Sequence, residues 1–185
     1  LIEKDPDYTY ATARLLMHTI AKEVLGKEVL HADMGQHYAQ YFPQFIKKGV
    51  DNELLDPQML QFDLQRLGSA LKAGRDLKFD YLGLQTLYDR YFLHVRKQRI
   101  ELPQAFFMRV AMGLALNEID REARAIEFYE VLSSFDFMSS TPTLFNSGTL
   151  RSQLSSCYLS TVPRSEEHTS ELQSHSDLVC RLLLE

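Results

Sequence analysis

Cysteine is scarce in this chain, occurring only at Cys157 and Cys180. Two cysteines exclude the disulfide framework of a small extracellular domain and suit a reducing compartment, so the cytoplasm is the expected location. Long apolar runs are also missing. No stretch reaches the ~20 consecutive apolar residues that a transmembrane helix requires, so no membrane association is expected. The start, LIEKDPDYTY, lacks the basic-then-apolar pattern of a secretory leader. Positive charge is thin: 20 Lys and Arg stand against 25 Asp and Glu. The bases are scattered and do not track a phosphate backbone, so nucleic acid is not an expected partner.

What is present is a globular composition, 45% hydrophobic over 185 residues, enough for one ordinary domain or slightly more. Most of the first 139 residues carry helical periodicity. DPDYTYATARLLMHTIAKEVLG starts at Asp5 and Pro6, has an apolar stripe of Leu15, Leu16, Met17, Ile20, Val24 and Leu25, and stops at Gly26. HADMGQHYAQYFPQFIKKG predicts a second helix ending at Gly49, with Pro43 kinking it or shifting its start. DPQMLQFDLQRLGSAL predicts a third from Asp56 and Pro57, and DLKFDYLGLQTLYDRYFL a fourth with Tyr81, Leu82, Leu84, Leu87, Tyr88 and Tyr91 covering one side.

YFLHVRKQRIEL alternates around Arg96, Lys97 and Arg99 and reads as a hairpin with an exposed turn. LPQAFFMRVAMGLAL is apolar nearly all round and should be buried. In DREARAIEFYEVLSSFDF, Asp120 caps a helix whose inward face is Ala123, Ile126, Phe128, Val131 and Leu132. SSTPTLFNSGT reads as extended, with a turn at Asn146–Gly148, and Leu154–Val162 as a β-strand.

Few residues here could carry chemistry. Cys157 admits two readings: a small buried hydrophobe, or a redox or nucleophilic thiol held on a strand. The hydroxyls of Ser139, Ser140, Thr141, Thr143, Ser155 and Ser156 could bind a phosphate or simply satisfy turns. His18, His37 and His94 lack the spacing of metal ligands, so no metal site is expected. Arg96, Lys97 and Arg99 could meet an acidic partner or a nucleotide phosphate, but a solvated hairpin turn accounts for them.

The segments YLGLQTLYDRYFL, IELPQAFFMRVAMGLAL, FMSSTPTLFNSGT and QLSSCYLSTV together resemble the large (α) subunit of class I ribonucleoside-diphosphate reductase. The likeness is strongest from Asp80 to Pro163. The resemblance implies a mainly α fragment: a helical N-terminal domain leading into the first strand of a truncated ten-stranded α/β barrel. It places the end of an ATP-cone in residues 1–26, the helical domain in 27–137 and the barrel's start in 138–163.

It also implies an enzyme that reduces ribonucleoside diphosphates by thiyl-radical chemistry, for DNA precursor synthesis. Cys157 matches the first member of the redox-active cysteine pair. Thr141 and Ser156, with Cys157, match positions that bind the substrate diphosphate, and Thr143 is a nearby alternative. The implied partners are a small (β) radical-generating subunit that contains the metal, thioredoxin or glutaredoxin as reductant, and a second copy in a homodimer. ATP and deoxynucleotide effectors act on the parent, and no cofactor is expected to be bound directly by this piece. The radical cysteine and the second reducing cysteine have no counterpart here, so the fragment by itself is expected to be inactive. Two rival readings are a fragment of a cobalamin-dependent ribonucleotide reductase and a non-enzymatic helical interaction module.

The resemblance ends at Pro163. Residues 164–185, RSEEHTSELQSHSDLVCRLLLE, read as an in-frame translation of a sequencing adapter. On that reading Cys180, His168 and His175 carry no natural role. The segment contributes two arginines and five acids, a net of 2 − 5 = −3, so the chain's −5 becomes −2 without it.

Overall fold

The computed structural model describes residues 6–159, in two compact units that divide between Leu154 and Ser155. The first unit is helical. Helix α1 spans Tyr8–Leu25 and α2 Met34–Asp51; two short helices follow, α3 at Leu64–Ser69 and α4 at Tyr81–Thr86. A two-stranded ribbon, β1 at His94–Val95 and β2 at Gln98–Arg99, leads into α5 at Pro103–Ala115. Helix α6 at Arg121–Ser133 and a short α7 at Thr141–Asn146 complete the unit. Among the described residues, no helix is long and apolar enough to cross a membrane.

Helix α5 is the centre of the core. Every residue from Pro103 to Met112 is buried, Gln104 and Arg109 included, as a helix apolar nearly all round requires. Phe106 and Phe107 meet edge to face, their ring centroids 5.2 Å apart. Each contributes about 1.5–3 kcal/mol by leaving water. Helix α6 lies against α5, α3 against α2, and α4 against α1.

Several elements follow their local signals. Gly26 ends α1 in the left-handed region at φ 70°, its N–H donating to the Lys22 carbonyl. The ribbon pairs His94 with Arg99 and Val95 with Gln98. Both turn residues have positive φ, Arg96 at 50° and Lys97 at 69°, the backbone of a two-residue turn matched to strand twist. Asp120 caps α6, its carboxylate accepting from the Ala123 N–H.

Other elements depart from expectation. The anticipated helix from Asp56 is two elements, a 3₁₀ turn at Pro57–Gln61 and then α3, because Asp63 restarts the backbone by capping Arg66 N–H. Pro43 lies inside α2 without dividing it, and the helix runs past Gly49 to Asp51. Gly49 is a packing glycine, since a Cβ there would press on the Leu55 side chain. Leu15 is exposed, and the inward face of α1 is Ala13, Met17, Ile20, Ala21 and Val24; Leu82 of α4 is likewise exposed, and Leu84 is the residue that helix buries.

Helix α6 is rotated from the expected face. Ala125, Tyr129, Leu132 and Ser133 are buried, while Val131 is exposed. That set still follows the i, i+4, i+7, i+8 spacing of one helix face. Tyr129 takes the core position because its hydroxyl finds partners there: it donates to Gln104 Oε1 at 2.7 Å and accepts from Lys72 N–H at 2.8 Å.

The second unit is described from Ser155 to Leu159. The strand anticipated over Leu154–Val162 does not form over residues 154–159. A strand is stable only when its N–H and C=O groups meet a neighbouring strand. The remainder of that segment, and the adapter-like residues 164–185, lie outside the described residues, as do Asp5 and the residues before it.

Candidate functional site

The segment SSTPTLFNSGT was expected to be extended; residues 141–146 instead form α7. Ser140 is extended at ψ 155°, and Pro142 lies in the first turn, where a missing N–H costs nothing. Ser140 Oγ lies 3.2 Å from Thr143 Oγ1, and Thr143 Oγ1 donates to the Leu154 carbonyl at 3.2 Å. The turn at Asn146–Gly148 forms as anticipated. Thr149 N–H donates to the Asn146 carbonyl at 3.0 Å, and Gly148 has φ 78°.

Why does so short a helix hold its place? Its C-terminal end is seated on α5. Arg109, fully buried, donates from Nη1 to the Ser147 carbonyl at 2.6 Å and from Nη2 to the Leu144 carbonyl at 3.1 Å. A cation is favoured there because the last carbonyls of a helix lack partners of their own. Ser147 Oγ donates to the Val110 carbonyl at 2.7 Å. The backbones approach so closely that a Cβ on Gly113 would overlap Gly148 N and Ser147 Oγ. On the other side, Asp56 N–H donates to the Gly148 carbonyl at 3.0 Å, and Leu55 bridges Thr149.

Thr141, at the other end of α7, is exposed. Its hydroxyl lies 3.2 Å from the Tyr91 hydroxyl. Both line a groove of about 600 Å³, with Ser139 at its edge and Phe79, Phe106 and Phe107 among its walls. Tyr91 ends a single π-turn, Leu87–Tyr91, closed by Phe92 N–H on the Leu87 carbonyl at 2.9 Å.

Of the expected site residues, Thr141 belongs to the first unit, and Ser156 and Cys157 to the second. Ser156 and Cys157 are both exposed, and Cys157 is a free thiol. The buried-hydrophobe reading of Cys157 is therefore corrected. Arg96 and Lys97 form the exposed hairpin turn. Arg99 is committed to structure: its guanidinium lies 4.1 Å from the Tyr88 ring centroid, and its N–H donates to Glu23 Oε1 at 2.8 Å. Among the described residues, no three His, Cys, Asp or Glu side chains are grouped to hold a metal ion.

Two buried polar constellations escaped sequence reasoning. The first is the Arg109–Glu101 pair, for which a visible signal existed: Arg109 is the single charge within AFFMRVAMG. The second joins four elements. Tyr38 of α2 donates to Asp76 Oδ2 at 2.8 Å, Gln104 Nε2 of α5 donates to Asp76 Oδ1 at 2.8 Å, and Tyr129 of α6 donates to Gln104 Oε1. Burial raises the Asp76 carboxyl to about 7, and the two donors only partly offset it. Burial likewise lifts Tyr38 well above the usual phenol range and Tyr129 to about 12. Nothing local in GRDLK marks Asp76 as a core residue.

Residues 77–152 match the family described as "Ribonucleotide reductase, all-alpha domain". That span contains α4, the hairpin, α5, α6, α7 and the Asn146 turn. The chain is similar to the ribonucleoside-diphosphate reductase subunit alpha of Chlamydia trachomatis serovar D, at 51% identity over 161 residues. The aligned part covers 87% of this chain and 15% of that protein. It is similar to the protein of the same name from Chlamydia pneumoniae at 42% over 181 residues, 97% of this chain and 17% of the relative. It is also similar to the ribonucleoside-diphosphate reductase large subunit of Danio rerio at 37% over 158 residues, 84% of this chain and 19% of the relative. The chain thus spans less than a fifth of each of these relatives.

Proposed function

We propose that this chain is a segment of the large (α) subunit of a ribonucleoside-diphosphate reductase. The parent enzyme converts ribonucleoside diphosphates to deoxyribonucleoside diphosphates by thiyl-radical chemistry. The family match over residues 77–152 carries this reading. The hydrogen-bonded seating of α7 on α5, with the Thr141 hydroxyl at an open groove, supports it.

Thr141 and Ser156 supply hydroxyl donors to the substrate diphosphate. Small hydroxyls suit that task because they neutralise lone pairs without the bulk of long basic side chains. Cys157 is the first of two thiols that give up two electrons together, becoming a disulfide as the ribose is reduced. Its exposure in the described segment is compatible with thiol exchange. The parent works with a small radical-generating subunit, a thioredoxin- or glutaredoxin-type reductant and a second large subunit, under control by ATP and deoxynucleotides. Its setting is the cytoplasm, and residues 164–185 are adapter-derived.

The test begins with the source DNA, resequenced across codons 150 to 175 from primers outside the library. The complete frame is then expressed with a small subunit and a dithiol reductant, and deoxyribonucleoside diphosphate is measured. A frame that continues past Pro163 into an active reductase is the expected result. A natural stop after Glu185, or a complete chain without reduction, overturns the proposal.

A further inference from the structure

We infer that Tyr91 is a positioning residue for substrate binding, acting through the Thr141 hydroxyl. This rests on the reading of Thr141 as a diphosphate ligand and goes beyond it.

Tyr91 touches α7 at two points. Its hydroxyl lies 3.2 Å from Thr141 Oγ1, and its ring stacks on Phe145, with centroids 4.4 Å apart and planes 15° from parallel. Thr141 and Phe145 are four residues apart, so they share one face of the helix. Tyr91 therefore sets the rotation of α7's open end, while Arg109 anchors the other end. Its own ring is held by an edge contact with Phe106, centroids 6.3 Å apart, and by the π-turn that ends on it. Such single-turn insertions concentrate at functional sites.

The hydrogen-bond direction follows from chemistry. Phosphate oxygens accept and do not donate, so a threonine that binds one must give its only proton to it. Thr141 Oγ1 then has lone pairs to offer and no proton for Tyr91. The phenol must donate into Thr141, which polarises the threonine O–H toward the phosphate. Without substrate, the Thr141 proton is free to take another partner. Tyr91 thus orients the donor before the ligand arrives, which lowers the ordering cost of binding.

The test uses the complete reductase chain with its small subunit and reductant. Tyr91→Phe keeps both ring contacts and removes only the hydroxyl. KM for the nucleoside diphosphate should rise roughly threefold to tenfold, the scale of one lost neutral hydrogen bond. Turnover and the thermal midpoint should stay near those of the parent. Thr141→Val should raise KM further, and the double variant should be no worse than Thr141→Val alone. If Thr141→Val raises KM but Tyr91→Phe does not, Tyr91 has no positioning role and the reading of Thr141 survives. If Thr141→Val leaves KM unchanged, the reading of Thr141 falls and takes this inference with it. If the two effects simply add, Tyr91 acts independently of Thr141 and the inference is wrong.

Discussion

Arg109 and Glu101 form an ion pair with no solvent exposure at either side chain, Nε to Oε1 2.6 Å. Glu101 Oε2 accepts the Leu93 N–H at 2.8 Å, while the remaining Arg109 donors reach the Leu144 and Ser147 carbonyls. One buried pair thus ties the base of the hairpin, helix α5 and the end of α7 together. Removing two ions from water is costly, and this arrangement offsets the cost by satisfying both groups.

Arg109→Leu should therefore be severe. It strands the Glu101 carboxylate in the core and frees the end of α7. We expect a loss of about 3–5 kcal/mol, the scale for breaking a buried pair from one side. Replacing both residues by leucine should cost less than the sum of the single changes. Urea unfolding of the three variants measures this; a loss below 1 kcal/mol for Arg109→Leu would sink the anchoring account.

Asp76 predicts a pH dependence with a definite sign. Its folded-state value of about 7 lies above the ordinary carboxyl value of 3.8. The folded state therefore holds the proton more tightly than the unfolded state. The contribution to stability is fully present below about pH 4 and is lost as pH rises through 7. Between pH 5.5 and 8 the urea midpoint should fall. Asp76→Asn keeps an amide oxygen for Gln104 and should flatten that fall. His18 and His31 line the same cavity as Asp76. An Asp76→Asn profile as steep as the parent's would show that Asp76 is not the group responsible.

Gly113→Ala reverses a usual rule. In an open helix the change would stabilise, by roughly 0.5–1 kcal/mol. Here the new methyl meets Ser147 and the Gly148 backbone, which must move. We expect destabilisation of about 1–3 kcal/mol, the range for overpacking, together with faster hydrogen exchange across residues 141–149. A raised thermal midpoint would contradict the close approach.

Cys157 should be chemically accessible. In a Cys180→Ser background, an aromatic disulfide reagent should titrate one thiol in native buffer, at a rate close to that in urea. Strong native protection would show that the segment is buried.

Features governed by a few neighbouring residues were legible in the sequence. Gly26 stops α1, Asp120 caps α6 and Arg96-Lys97 turns the hairpin, because caps and tight turns are short-range physics. The burial of α5 was legible too, since a helix apolar nearly all round has nowhere else to go. Thr141, Ser156 and Cys157 were legible only through resemblance, because two hydroxyls and a thiol have no spacing signature of their own. Tertiary structure decided the rest. Helix α7 exists because α5 supplies Arg109 and a glycine-lined seat to a segment whose own pattern reads as extended. The face of α6 turned to the core was set by a hydrogen bond from Tyr129 to a residue 25 positions away. The strand signal over 154–159 was overridden for the opposite reason: backbone donors and acceptors become a strand only when another strand is there to meet them.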